Sequence, residues 1–417
     1  MDQLLDTGLL DGPFPVGVYL AAAVVVLALV LGRTRGRRAP VLVLSVACGG
    51  LFGWVLTWLV SDVWDLFGVS VSTVTRLWVT AFFAALALAV SSLVGGRRWR
   101  KAVAILAVPV FLLAAGVGIN VDFGEFPTVR AALGIAGYGS LPTALAAPAG
   151  SLRGTVGTVT IPPTASGFAA RPAMVYLPPA ARSTHPPVLP VVEMLSGQPG
   201  SPENVFTAGH LAEIFDAYAA VHTGLAPIVV VPDQLGAPEK NPLCIDSALG
   251  NSATYLTVDV PAWIRAHFRV AAAPRGWVIA GFSQGGTCSI QLGSAHPEVF
   301  GTILDISGEL VPKTGSPAHT VEVGFGGSRA AYAAAAPRAI LAAHAPYAAL
   351  RVIFAVGGND ARYLPWARTL AAAAARAGVS TRLIVSPGTA HDWHTVIFAW
   401  RRALPVIAAA TGLGAGS

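Results

Sequence analysis

Four runs of apolar residues open the chain and then cease. They cover Pro15–Gly32, Val41–Val60, Leu77–Val94 and Ala102–Gly118, and none contains Asp, Glu, Lys or Arg. Each is long enough to cross a hydrocarbon layer of roughly 30 Å at about 1.5 Å per residue. Core helices of a soluble protein would rarely give four charge-free runs in succession, so the pattern predicts four membrane-spanning helices within residues 1–120. A cleaved signal peptide fits poorly, because the N-terminus carries Asp2, Asp6 and Asp11 rather than basic residues.

After Asn120 the pattern changes. Val121–Ser151 is a connecting stretch with a small-residue run at Ala144–Gly150. Residues 152–417 alternate short apolar runs with helical patterns. The expected strands are Gly154–Ile161, Ala173–Leu177, Val188–Met194, Ile228–Val231, Gly276–Ala280, Gly301–Ile306, Arg351–Val356 and Thr381–Val385. The expected helices are Ser201–Ala219, Leu256–His267, Gln284–His296, Arg329–Ala343, Leu364–Ala377 and Thr395–Ala410. Continuous apolar strands separated by helices imply a largely parallel sheet covered on both faces.

Composition fits this division. Hydrophobic residues make up 54% of the 417 and charged residues only 12%, about half the share in an ordinary soluble domain. The net charge of +6 is a topology signal. Two short loops, Arg33–Arg38 and Arg97–Lys101, hold eight of the 27 basic residues, and without them 19 basic stand against 21 acidic residues. The charge is therefore no nucleic-acid footprint. Basic loops stay in the cytoplasm, so the N-terminus and everything after Asn120 are expected outside. No charged residue lies mid-span, which argues against a transporter.

The strongest chemical signal is Gly281-Phe282-Ser283-Gln284-Gly285 between a strand pattern and a helix pattern. This setting holds a nucleophilic serine on a sharp, exposed turn. A serine needs a base, and the base an orienting acid. Asp360 follows one strand across a Gly-Gly-Asn turn, and His391 follows the next across Pro387-Gly388. His394 is the alternative base, while Asp305 and Glu309 are rivals for the acid. The backbone N–H of Gln284 is the first expected oxyanion donor. The second comes from Ser196–Gly200; Pro199 has no N–H, which leaves Gln198. No further His or Cys stands at zinc-ligand spacing, and neither metal nor cofactor is expected.

The part from about Val121 to Ala410 resembles the esterase D and mycolyltransferase-like branch of the α/β-hydrolases, of which membrane-anchored forms occur in actinobacteria. Pro172–Pro179 (PAMVYLPP), Leu195–Gly200 (LSGQPG), Thr254–Val260 (TYLTVDV), Gly281–Cys288 (GFSQGGTC), Gly326–Tyr332 (GGSRAAY) and His391–Trp393 (HDW) carry the resemblance. It implies an α/β-hydrolase fold, Ser283, Asp360 and His391 as the triad, and Gln198 and Gln284 as oxyanion donors. The chain departs from the branch at Ser196, where related enzymes commonly have His or Asp. Mycolyltransferases have Glu where this chain has Asp360, and some relatives have Trp where it has Ile397.

Three cysteines exclude a disulfide-dense scaffold, but an oxidising outer side would allow a Cys244–Cys288 bridge. Gly315–Ala336 is a candidate lid or a plain surface insertion. The expected activity is that of a membrane-anchored serine esterase or acyltransferase. Its substrate would be an acyl ester, with a lipid or envelope glycolipid as candidate. The alternative is a non-catalytic membrane-anchored binding or scaffold module on the same fold.

Overall fold

The computed structural model describes residues 2–31, 38–94, 98–142 and 153–413. Arg33, Arg35, Arg37 and Arg97 of the basic loops, and the small-residue run 144–150, lie outside these. The chain forms two compact units, Met1–Gly137 with Ala390–Asp392, and Tyr138–Thr389 with Trp393–Ser417. The first unit thus runs past Asn120 into the stretch read as a connector.

The first unit is built on helices α1 (Pro13–Val30), α2 (Arg38–Trp58), α3 (Thr73–Leu93) and α4 (Arg98–Phe123). All four apolar spans are long and apolar enough to cross a membrane, the second extending through a π turn to Val63. The helices begin ahead of the charge-free runs because a polar residue ends an apolar run without ending a helix. At α3, the Ser72 side chain accepts from the Thr75 amide and fixes the start there. Large apolar side chains point outward, with Leu20, Leu44 and Leu106 62%, 65% and 66% exposed. Inside the bundle α2 meets α3 through Gly49 and Gly53. A Cβ on Gly53 would lie 2.9 Å from the Val79 carbonyl oxygen, a close backbone approach that a small residue permits.

The second unit is an eight-stranded sheet. Its strands are β1 (Thr155–Val159), β2 (Ala173–Leu177), β3 (Val191–Leu195), β4 (Ile228–Val231), β5 (Trp277–Phe282), β6 (Thr302–Ile306), β7 (Arg351–Gly357) and β8 (Ser380–Ser386). Their spatial order is β1-β2-β4-β3-β5-β6-β7-β8. The strands from β4 to β8 are parallel, while β2 runs antiparallel to both neighbours.

Alternate residues of each central strand enter opposite cores. Val191, Ile279 and Phe354 pack with α6 (Val260–His267), α7 (Gln284–Ala295) and α8 (Tyr363–Arg376) through Ile264, Ile290 and Leu370. Val192, Ala280 and Ile353 pack on the other face with α5 (Leu211–Ala220) and α9 (Trp393–Thr411) through Phe215, Trp400 and Ile407. Two covered faces explain why these strands read as unbroken apolar runs.

Some expected helices are divided. The pattern over 201–219 becomes a short turn, Asn204–Thr207, followed by α5, with a break at His210 in the left-handed region (φ 50°). Gly209 precedes the break, and a Cβ there would lie 2.5 Å from the Val205 carbonyl oxygen and 3.0 Å from the Trp393 ring. The pattern over 329–343 splits into Arg329–Ala334 and Pro337–Ala343 because Pro337 forces Ala336 into an extended conformation. The candidate lid, 315–336, holds helices Pro317–Phe325 and Arg329–Ala334. The chain also forms a small hairpin, Asp246–Ser247 with Gly250–Asn251, that the apolar pattern did not indicate.

Candidate active site

The parallel strands all deliver their C-terminal ends to one edge of the sheet, the edge where open α/β sheets place ligands. Ser283 follows β5 there. Its φ of 57° and ψ of −116° lie outside the conformations an L-residue favours. The chain tolerates this because the turn is held on every side. The Ser283 amide donates to the Ile306 carbonyl at 2.8 Å, and the Ser283 carbonyl accepts from Thr287 at the start of α7.

The glycines make room for the turn. A Cβ on Gly281 would strike the Gly285 carbonyl, and one on Gly285 the Ser196 carbonyl. One on Gly286 would lie 2.7 Å from Asp305 Oδ1 and 2.8 Å from the Ile306 carbonyl. The result is a partly exposed serine at the first turn of a buried helix, where unpaired amides and the helix dipole favour negative charge.

Asp360 follows β7 and is 1% exposed. Its Oδ1 accepts from the Arg362 and Tyr363 amides at 3.2 and 2.9 Å, which orients the carboxylate at the start of α8. The turn before it is tied to the loop after β8: the Gly358 amide donates to the Ser386 carbonyl at 2.7 Å. His391 is 8% exposed and His394 is exposed in the first turn of α9. His391 belongs to the three-residue stretch grouped with the first unit. Within the second unit, the chain beyond it returns to the serine turn. Trp393 packs on Phe282, the residue before Ser283, with ring centroids 5.3 Å apart.

The loop after β3 lies against the same turn. A Cβ on Gly197 would lie 3.4 Å from the Phe282 ring. Gln198 is partly exposed, its side-chain amide donating to the Glu239 carbonyl at 3.0 Å.

Asp305 is the rival acid that the structure accounts for otherwise. It lies inside β6, fully buried beneath α7, and its Oδ1 accepts from the Gly308 amide at 2.8 Å. Burial pushes its carboxyl up to about 7, against the pull of that bond. Glu193 in the middle of β3 is also buried, without a hydrogen-bond partner among the described residues, and burial holds it well above the usual carboxylate range. Among the described residues no cluster of three His, Cys, Asp or Glu could hold a metal ion.

Around the serine turn lie the bridge that the sequence allowed and a side-chain network that it did not indicate. The structure joins Cys244 to Cys288 as a disulfide, with their Cα atoms 5.4 Å apart. The side-chain amide of Gln284 donates to Asn241 Oδ1 at 3.0 Å and lies 3.2 Å from Cys288 Sγ. Gln234, in the loop after β4, donates to the Gln284 side chain. The signal available was position alone: Pro232-Asp233-Gln234 directly follows a buried parallel strand, at the edge that carries the other loops.

A mostly parallel sheet in this strand order, with a strained serine turn between a central strand and a buried helix, defines an α/β-hydrolase fold. A family model described as an esterase matches residues 169–411. A Corynebacterium glutamicum protein described as uncharacterized is 32% identical, covering 96% of this chain and 95% of that one. The chain belongs to this esterase family. Two solved structures share the fold at a TM-score of 0.52. One is a ferulic acid esterase, 20% identical, covering 61% of this chain and 97% of its own. The other is an S-formylglutathione hydrolase of Agrobacterium tumefaciens, 21% identical, covering 63% and 97%.

Proposed function

We propose that the chain is a membrane-anchored serine esterase or acyltransferase acting outside the cytoplasm. The observation that carries this reading is the Ser283 turn, with its positive φ, its partial exposure and its glycine-lined fit. Ser283 Oγ attacks an ester carbonyl. His391 takes the hydroxyl proton and gives it to the leaving alcohol, while Asp360 holds the imidazole in orientation. The Gln198 and Gln284 amides receive the negative charge that develops on the carbonyl oxygen. His391 then activates the acceptor, and Ser283 is released. Water as acceptor makes the enzyme an esterase; a sugar or lipid hydroxyl makes it an acyltransferase. The four apolar helices support anchoring, and a site held at the membrane favours an ester of an envelope lipid or glycolipid.

The test is labelling of the full-length protein in membranes by a fluorophosphonate probe. Wild type is expected to label, and Ser283→Ala is not. A folded wild type that neither labels nor turns over any ester overturns the reading in favour of a binding module. A reporter that functions only outside the cytoplasm, fused at the C-terminus, tests the orientation.

A further inference from the structure

We infer that Gln234 is a positioning residue that sets the two oxyanion donors relative to one another, an inference that rests on the reading above. Gln234 is fully buried in the loop after β4, and its side-chain amide has two N–H groups. One donates to the Ser196 carbonyl at 2.7 Å, the other to Gln284 Oε1 at 3.0 Å. Ser196 opens the loop whose third residue, Gln198, supplies one donor amide. Gln284 supplies the other. A single side chain thus spans both halves of the hole.

The span is directional and anchored at each end. Both groups facing the Gln234 amide are acceptors, so only its nitrogen can occupy that place. The Gln284 side chain passes the chain on by donating to Asn241 Oδ1, and Asn241 donates in turn to the Lys313 carbonyl at 2.8 Å. On the other side, the backbone of Gln234 is fixed by its neighbour. The Asp233 carboxylate accepts from the amides of Arg171, Leu235 and Gly236 and pairs with the Arg171 guanidinium at 2.8 Å. The arrangement leaves Gln234 Oε1 buried with no partner among the described residues. Burying an unsatisfied carbonyl is unfavourable, whereas the amide nitrogen supplies two buried acceptors at once. The amide nitrogen is therefore the functional part of the residue.

Oxyanion donors act only when aimed at where the charge develops, and removing one costs about 10²–10³ in turnover. Losing the strut that aims them is expected to cost roughly 10- to 100-fold in kcat with KM changed by less than about twofold. The experiment compares wild type, Gln234→Met, Gln234→Glu and Ser283→Ala as full-length protein in detergent, with p-nitrophenyl acetate as substrate. A trifluoromethyl ketone, whose hemiketal oxygen occupies the hole, is the second probe.

In Gln234→Met, kcat and trifluoromethyl ketone affinity should fall by the same factor while the far-ultraviolet circular dichroism stays that of wild type, although the two acceptors left without a donor lower the melting temperature. In Gln234→Glu the ratio of activity to wild type should rise as pH falls from 8 to 6, because only the protonated carboxyl can donate to the Ser196 carbonyl. The inference is overturned by a kcat within twofold of wild type, by unchanged ketone affinity, or by a Gln234→Glu ratio independent of pH. If wild type neither turns over an ester nor labels with the fluorophosphonate probe, the serine-enzyme reading falls on its own. The strut is then read from amide exchange at Gly197 and Gln198, which should quicken in Gln234→Met; unchanged exchange refutes it.

Discussion

The Asn359 amide donates to the Thr389 carbonyl at 2.9 Å, and these residues stand one before Asp360 and two before His391. The loops that carry the proposed acid and base are therefore joined by their own backbones. Asp360→Asn and His391→Gln should each lower kcat by about 10³-fold or more, the scale seen when a serine triad loses a member. His394→Gln should stay within about threefold, its side chain being exposed. Kinetics on one chromogenic ester decide the matter, and a larger loss for His394→Gln would move the base.

Gly286 should not accept a side chain. Its Cβ would meet Asp305 Oδ1 and the Ile306 carbonyl, and the second is backbone that cannot move without shifting β6. Overpacking of this kind costs about 1–3 kcal/mol. Gly286→Ala is expected to show that loss in chemical denaturation. A wild-type midpoint would mean that the helix start moves freely.

Asp305 makes stability depend on pH. Its carboxyl titrates near 7 in the fold against 3.8 in an open chain, so between these values the folded state holds a proton that the unfolded state has released. Stability from this group is complete below about pH 4, declines as pH rises towards 7, and is lost above. Glu193 acts in the same direction. Asp305→Asn, neutral throughout, should flatten the profile of melting temperature between pH 4 and 7, and Glu193→Gln should flatten it further. Identical profiles for wild type and the double variant would contradict this.

The Cys244–Cys288 bridge spans 44 residues. A crosslink closing a loop of that length removes about 4 kcal/mol of unfolded-chain freedom on the chain-entropy account. Replacing both cysteines by alanine should lower the melting temperature, and the reductant that destabilises wild type should leave the variant unchanged. Thiol titration under denaturing conditions should find one thiol per chain, that of Cys48, and three after reduction. Three thiols before reduction would exclude the bridge.

The legible parts of the molecule are those in which chemistry leaves a local pattern. Charge-free runs mark the four helices. The glycines around Ser283 mark a close approach of helix and strand, which needs no knowledge of the partner. Gln234 leaves no such mark, because its acceptor at Ser196 lies 38 residues away and a buried glutamine in a loop looks like an exposed one. Glu193 is unmarked in another way: its run reads as a covered strand, but the run does not show that the carboxyl is buried without a hydrogen-bond partner among the described residues. The break at His210 was equally hidden: Gly209 packs against Trp393 from the far end of the chain, a neighbour that no local pattern shows.

The backbone of Ser283 carries one more consequence. A serine at φ 57° bears a conformational cost of about 1–3 kcal/mol that glycine avoids. Ser283→Gly should therefore melt at a higher temperature than wild type, although glycine also enlarges the freedom of the unfolded chain. Differential scanning calorimetry measures the net effect, and a lower melting point would show that the strain relieved is smaller than the cost of glycine's freedom in the unfolded chain. The position would then be a site of trade-off, where thermal robustness and reactivity are drawn from the same torsion angle. Selection for stability alone would erase the serine.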